Sequence, residues 1–371
     1  MGPNFRWDDT EWVGRARSVA PISTGYFSVN FASDNWAGAT PEVMAALVRH
    51  NGGYSPAYGG DPLSLSVAQR FSELFERQVE VWFTATGTAS NSLGLAALSR
   101  PGGVVFCGED AHVHTDESGA TEFQSGGMKL VPVQSPLGLI DAGALATALG
   151  KHPVGGRSVP VALSLTNATE WGTVYSVAQV AELATIARDG GLKVHMDGAR
   201  FGNAVAALGV APAELTWKAG VDFLSFGATK NGCWAAEAIV VFTPGLLGDF
   251  EARRQRAGHT FSKARFVAAQ FEGYLEDGNW LRRAGHANAM SDRLRAGIRA
   301  SSMARLGWEN TANEVFAVIP RAALARLRAA GGAAHEWPAD GLAADETLVR
   351  LVTSWATTEA DVAGFLGVLK G

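Results

Sequence analysis

The chain has 371 residues, enough for one large domain, a smaller one and a sizeable core. Its 31 basic and 36 acidic residues leave a net charge of −5, which argues against a nucleic-acid or acidic-membrane partner and requires any anionic substrate to find a local cationic pocket. With only Cys107 and Cys233 and no apolar run of signal-peptide or membrane-spanning length, the chain reads as a soluble, cytoplasmic protein without a disulfide framework.

Residues 1–29 carry Trp7, Trp12, Tyr26 and Phe27, too many aromatics for a solvated tail, and read as an extension that packs on or between subunits. Phe31-Ala32-Ser33-Asp34-Asn35 leads to Thr40-Pro41-Glu42, where a capping threonine and a proline at the first helical position start a helix to about His50. After the glycine- and proline-rich loop from Tyr54 to Pro62, a second helix sets Leu63, Val67, Phe71, Leu74 and Phe75 on one face. The stretch 79–91 reads as strand, turn and helix. The first N–H groups of that helix, with the Thr88 and Ser90 hydroxyls, offer a phosphate-binding end, although a plain capped helix fits equally well and no Walker lysine is present.

Strands at 103–107, 128–133, 159–165, 192–197 and 223–230, with helices at about 141–150 and 177–189, predict a mostly parallel α/β sheet that the stretch 237–242 completes. The chain then reads as helical from about 246 to 303, with a turn at Asp277-Gly278-Asn279, and connects two domains. Strands at 314–320 and 347–353, with helices near 322–330 and 358–369, make a small α+β domain. The expected division is an extension at 1–29, a large domain at 30–255, and linking helices with the small domain at 256–371.

Two of these strands end in a charged residue: Asp197, and Lys230 33 residues later. Ligands of open α/β sheets gather outside the carboxyl ends of the strands, so this pair is expected to share one crevice. Such a pair suits pyridoxal phosphate, whose aldehyde takes a lysine amine as a Schiff base and whose pyridine nitrogen is kept protonated by a carboxylate. Arg200, three residues after Asp197, is placed to grip a substrate carboxylate. An Asp-x-x-Arg alone is a chance match in most chains; the apolar strands before Asp197 and Lys230 give it weight. His112 follows the strand ending at Cys107, where an imidazole can lie flat on a pyridine ring, or simply bond a loop. His112 and His114 lack further ligands at zinc spacing, so no metal is expected.

Taken together, Gly87-Thr88, His112, Asp197-Gly198-Ala199-Arg200 and Lys230 resemble the threonine aldolases, supported by Ala32-Ser33-Asp34, Tyr58-Gly59-Gly60-Asp61-Pro62 and Arg350-Leu351-Val352-Thr353. The resemblance covers nearly the whole chain from about Phe31. It implies the fold-type I, aspartate aminotransferase-like architecture: a large, mostly parallel sheet domain plus a small α+β domain. It further implies pyridoxal 5'-phosphate linked to Lys230, with Asp197 on the pyridinium nitrogen, His112 stacked on the ring, and Gly87, Thr88, Ala89, Arg200 and Thr229 around the cofactor. Ser33, Arg200 and Arg350 are then expected to hold the substrate carboxylate.

The implied reaction is retro-aldol cleavage of a β-hydroxy-α-amino acid of the threonine, allo-threonine or phenylserine type to glycine and an aldehyde. His112, oriented or replaced by His114 or Glu117, is the expected base. The family also implies a homotetramer, a dimer of dimers with sites at subunit boundaries. Three features depart from its pattern: Thr229 stands where serine is common, Asn231 to Glu237 replaces a proline-glycine pair, and Glu170 stands in place of a histidine. Trp36, Trp171 and Trp234 point either to a roomy apolar pocket or, among eleven tryptophans, to core and interface packing. The alternatives are a β-eliminating lyase or aminotransferase on the same scaffold, and a non-enzymatic dinucleotide-binding protein, against which stands the lack of a Gly-x-Gly-x-x-Gly.

Overall fold

Seven strands form the larger of two sheets: β1 (Glu80–Thr84), β2 (Gly103–Gly108), β3 (Lys129–Val133), β4 (Val159–Thr166), β5 (Lys193–Gly198), β6 (Phe223–Gly227) and β7 (Glu237–Val241). The structure, a computed structural model, describes residues 30–153 and 156–370, so the expectation for residues 1–29 lies outside the described residues. The strand order is β1-β7-β6-β5-β4-β2-β3. β3, β2, β4, β5 and β6 run parallel, while β7 is antiparallel to both β6 and β1. β2, β6 and β7 are buried along their whole length, and β4 and β5 beyond their first residue, as expected for strands covered on both faces.

This order decides where the chemistry sits. Parallel register pairs Thr166 of β4 with Asp197 of β5, and Asp197 with Ser225 of β6, so the carboxyl ends of three neighbouring strands open on one edge. The chain leaves β6, passes Lys230, and returns as β7 with Glu237 opposite Gly227. Lys230 is thereby tethered from both sides. On one face, Phe71 and Phe75 pack against Phe226, with ring centroids 5.1 and 6.3 Å apart. On the other lies the helix Gly87–Ala97, where a Cβ at Gly94 would meet the Phe223 ring at 2.7 Å; glycine there lets the helix sit close against β6.

The long helical stretch expected after the large sheet is three helices, Phe250–Arg256, Arg265–Leu275 and Asn279–Arg299. The later break falls at Asp277-Gly278, both at positive φ. The smaller sheet, β8 (Arg305–Leu306), β9 (Glu314–Pro320), β10 (His335–Trp337) and β11 (Glu346–Val352), is antiparallel in the order β10-β11-β9-β8. β8 and β10 were not legible in the sequence. The core of this unit joins Leu294, Ile298, Val315, Ile319, Val349 and Phe365 to Phe31. The Phe31 amide donates to the Ala333 carbonyl, and its own carbonyl accepts from Val352. The segment expected to open the large domain is therefore held by the small sheet, and it delivers Ser33 and Asp34 to the boundary between the two units.

Among the described residues, no helix is long and apolar enough to cross a membrane, and no group of three or more His, Cys, Asp or Glu could hold a metal ion. The carboxyl edge of β6 is tightly built: a Cβ at Gly227 would stand 2.5 Å from the Ala199 carbonyl oxygen. Gly227→Ala is expected to force β5 and β6 apart beside Asp197 and Lys230, costing about 1–3 kcal/mol by overpacking. Denaturant unfolding checks this; a variant as stable as the parent contradicts the close approach.

Candidate active site

Asp197 stands at the end of β5 and is 2% exposed. Its Oδ1 accepts the Ala199 amide at 3.0 Å and its Oδ2 accepts Asn91 Nδ2 at 2.8 Å. The same Asn91 nitrogen donates to Glu117 Oε1 at 2.9 Å, and that oxygen lies 2.9 Å from His112 Nδ1. Asp197 and His112, which the sequence singled out, are thus two ends of one buried relay. Asn91 was missed, and the available signal was its place one turn after Gly87, on the same helix face. Burial alone would lower the His112 pKa, but the bond to Glu117 turns the net shift upward against the opposing Lys230 charge. His114 is exposed and makes no part of this relay.

Lys230 lines the same cleft, which has a volume of about 760 Å³, together with Asp197, His112, Gly87, Thr88 and Thr229. Thr86 caps the helix Gly87–Ala97, its hydroxyl accepting the Ala89 amide and its carbonyl the Ser90 amide. The amides of Gly87 and Thr88 precede these bonds and remain available to an anion at the helix N-terminus. The Ala89 amide is spent on the cap, and Ala89 is buried away from the cleft. Ser90 likewise leaves the phosphate end: its hydroxyl is 2.6 Å from Thr84 Oγ1, inside the core. Glu237, a buried residue the sequence did not single out, accepts the Thr229 amide at 3.3 Å, and burial pushes its carboxyl up to about 7.

At the other end, Arg200 directs Nε and Nη2 at the two oxygens of Asp34, 2.8 and 3.1 Å away. Asn313 adds a third donor at 3.1 Å. Burial opposes the Asp34 charge, but Arg200 and Lys230 overcome it and hold the carboxyl below its ordinary range. Glu314, the first residue of β9 and wholly buried, lies 3.5 Å from Arg200 Nη2 and 3.8 Å from Arg350 Nη1. Both arginines line the cleft with Ser33, and Asp34 and Glu314 behind them offset their charge.

Glu170 forms the remaining wall. Its Oε1 accepts the His112 amide at 2.9 Å, while burial and Asp197 raise its carboxyl to about 7. The roomy apolar pocket expected from three tryptophans is absent from this cleft. Trp36 and Trp234 are exposed, and Trp171 turns away to pack on Trp308 at 4.9 Å and Trp337 at 5.7 Å, donating its indole N–H to Asp110. His195, inside the Asp197 motif, is structural: its ring nitrogens lie 2.9 Å from Ser164 and Ser225 hydroxyls, and burial pushes its pKa down to about 4.

A lysine amine, a buried carboxylate across the cleft, free helix-terminal amides beside threonine hydroxyls, and a flanking imidazole fit the aldehyde, the pyridine nitrogen, the phosphate and the ring of pyridoxal phosphate. The residues therefore suit this cofactor, and the sheet order with its antiparallel β7 and small C-terminal unit makes the chain a fold-type I pyridoxal-phosphate enzyme. The sequence model described as beta-eliminating lyase matches residues 30–320, and the chain belongs to that family. It is 42% identical over 335 residues to a low specificity L-threonine aldolase of a Pseudomonas species, covering 90% of this chain and 95% of that one. The low specificity L-threonine aldolase of Pseudomonas aeruginosa is also 42% identical, over 88% of this chain and 93% of its own. A Leishmania major threonine aldolase structure superposes with a TM-score of 0.86 at 27% identity, over 92% of this chain and 98% of that one. A Sphingomonas wittichii serine palmitoyltransferase, at 16% identity and a TM-score of 0.69 over 92% of this chain and 86% of its own, shares the fold.

The relay to His112 can be tested in the protein without substrate. Removing the Glu117 charge leaves burial and Lys230, both of which favour the neutral ring, opposed only by Asp197. Glu117→Gln is expected to lower the His112 pKa from its raised position relative to 6.5, read from the imidazole proton shifts in an NMR titration. An unchanged titration contradicts the relay.

Proposed function

We propose that this protein cleaves β-hydroxy-α-amino acids of the threonine type to glycine and an aldehyde, using pyridoxal phosphate. The observation that carries this reading is that Asp197 and Lys230, from adjacent strand ends, face one cleft whose far end holds Arg200 and Arg350. Relatives named low specificity L-threonine aldolase at 42% identity support it. When bound, the cofactor supplies an electron sink for a bond at Cα.

The chain's own groups supply the rest. Lys230 would be the amine that links the cofactor, and Asp197, fixed by Asn91 and the Ala199 amide, would hold its ring nitrogen. His112 would flank the ring, and Gly87, Thr88 and Thr229 would receive the phosphate. Ser33, Arg200 and Arg350 would take the substrate carboxylate, and a carboxylate fixed there would settle which bond at Cα is presented for breaking. Asp34 and Glu314 act behind them by holding the two guanidinium groups in place.

We further propose a homotetramer with active sites near subunit boundaries, supported by exposed Met44, Val48, Tyr54, Tyr58 and Leu65 on neighbouring elements of the large unit. A cytoplasmic location is supported by two buried, free cysteines.

Incubation with threonine, allo-threonine and phenylserine is expected to release glycine and the matching aldehyde in equal amounts, and Lys230→Ala to release none. Ammonia with a keto acid, or a keto acid with pyridoxamine phosphate, overturns the reading in favour of β-elimination or transamination. Arg350→Leu is expected to raise KM for threonine about 10- to 100-fold, the loss of a charge-assisted bond of about 1.5–3 kcal/mol. An unchanged KM removes Arg350 from the carboxylate site.

A further inference from the structure

Glu170 is the carboxyl in this cleft that the reading above leaves without a task. Each of the others has one: Asp116 accepts the Thr115 hydroxyl, Asp197 is fixed by Asn91 and Ala199, Glu117 holds His112, and Glu237 caps the Thr229 amide on the lysine side. Glu170 sits on the opposite wall, with one oxygen anchored by the His112 amide at 2.9 Å and its side chain partly exposed to the cleft. The Trp171 ring next to it is clamped between the large unit and Trp308 and Trp337 of the small one, so this backbone is held in place. The charges that act on Glu170 and its surroundings are Asp197 at the end of β5, His112 on the facing turn and Arg200 beyond the strand end; Cys107 and Tyr175 lie behind it.

We propose that Glu170 is a catalytic residue of the aldol cleavage: its carboxylate takes the proton of the substrate β-hydroxyl as the Cα–Cβ bond breaks. The oxygen–hydrogen pair becomes the new carbon–oxygen π bond of the aldehyde, the bonding pair of Cα–Cβ stays with Cα, and the proton passes to Glu170. Cα then gains a proton, giving glycine, and Glu170 gives up its own, so no further reactant is consumed. The assignment rests on the aldolase reading and moves the task of base from His112, whose Nδ1 is taken by Glu117 and whose ring keeps its proton to higher pH than an ordinary histidine. A carboxyl titrating at about 7 is matched to proton transfer near neutrality, whereas one at 4.5 would be a weak base. Because Glu170 works deprotonated, cleavage should rise with pH through about 7.

The test is Glu170→Gln, which keeps the acceptor for the His112 amide and loses the base. Three readouts are taken on the cofactor-loaded protein: threonine cleavage, cofactor affinity, and exchange of the glycine α-proton in deuterium oxide, which needs no hydroxyl base. The expected result is a loss in kcat of about 10²–10⁴-fold, disappearance of the acidic limb of the pH profile, and unchanged cofactor affinity and glycine exchange. Glu170→Asp, with a carboxylate at shorter reach, should regain part of the cleavage rate. Wild-type cleavage in Glu170→Gln, or equal losses of cleavage and exchange, overturns the proposal. Failure of the aldolase reading is separate, since the unmodified protein would then release no glycine from threonine.

Discussion

A carboxyl group buried at the end of a strand is costly unless its oxygens are satisfied and a positive partner lies near; removing such support costs several kcal/mol. Asp197 is that group here. Its oxygens are occupied by Asn91 and by the Ala199 amide, and its field reaches His112, Glu117 and Glu170. The polar groups on this side of the cleft answer it. Asn91 requires the helix Gly87–Ala97 to sit close on the sheet, which Gly94 permits, and the same placement brings the helix N-terminus beside Lys230.

The substrate end is organised by a second buried arrangement, alternating in charge. Asp34 holds Arg200, Arg200 and Arg350 flank Glu314, and the Arg350 guanidinium lies 5.1 Å over the Trp337 ring. Its members come from the segment before the first helix, the end of β5, and strands β9 and β11. This site therefore exists only when the small sheet docks on the large one. The cluster of Trp171, Trp308, Phe316 and Trp337 secures that docking beside Glu170, so the two units meet where the proposed reaction places the substrate carboxylate and the β-hydroxyl.

Much of the large sheet was legible because its strands are apolar runs closed by turn residues, and because Asp197 and Lys230 end two of them. The reversal of β7 was not, since strand direction leaves no periodic trace. β8 and β10, two and three residues long, are too short to show alternation. Ser90 was misplaced for a local reason: one turn into a helix the side chain points back toward the strand, where Thr84 captures it. Asn91, Asn313 and Glu314 escaped because their meaning is tertiary; each looks like an ordinary helix or strand residue until the fold sets it against a charge. Trp36, Trp171 and Trp234 suggested a pocket by type alone, and type cannot say which way an indole faces.

Everything above requires that the amine of Lys230, and no other, carries the cofactor. Borohydride reduction of the cofactor-loaded protein, followed by digestion and peptide mass mapping, tests this directly. The expected result is the reduced cofactor mass on the peptide containing Lys230 alone. Its appearance on Lys129, Lys193 or Lys218, or its absence from every peptide, would contradict the account.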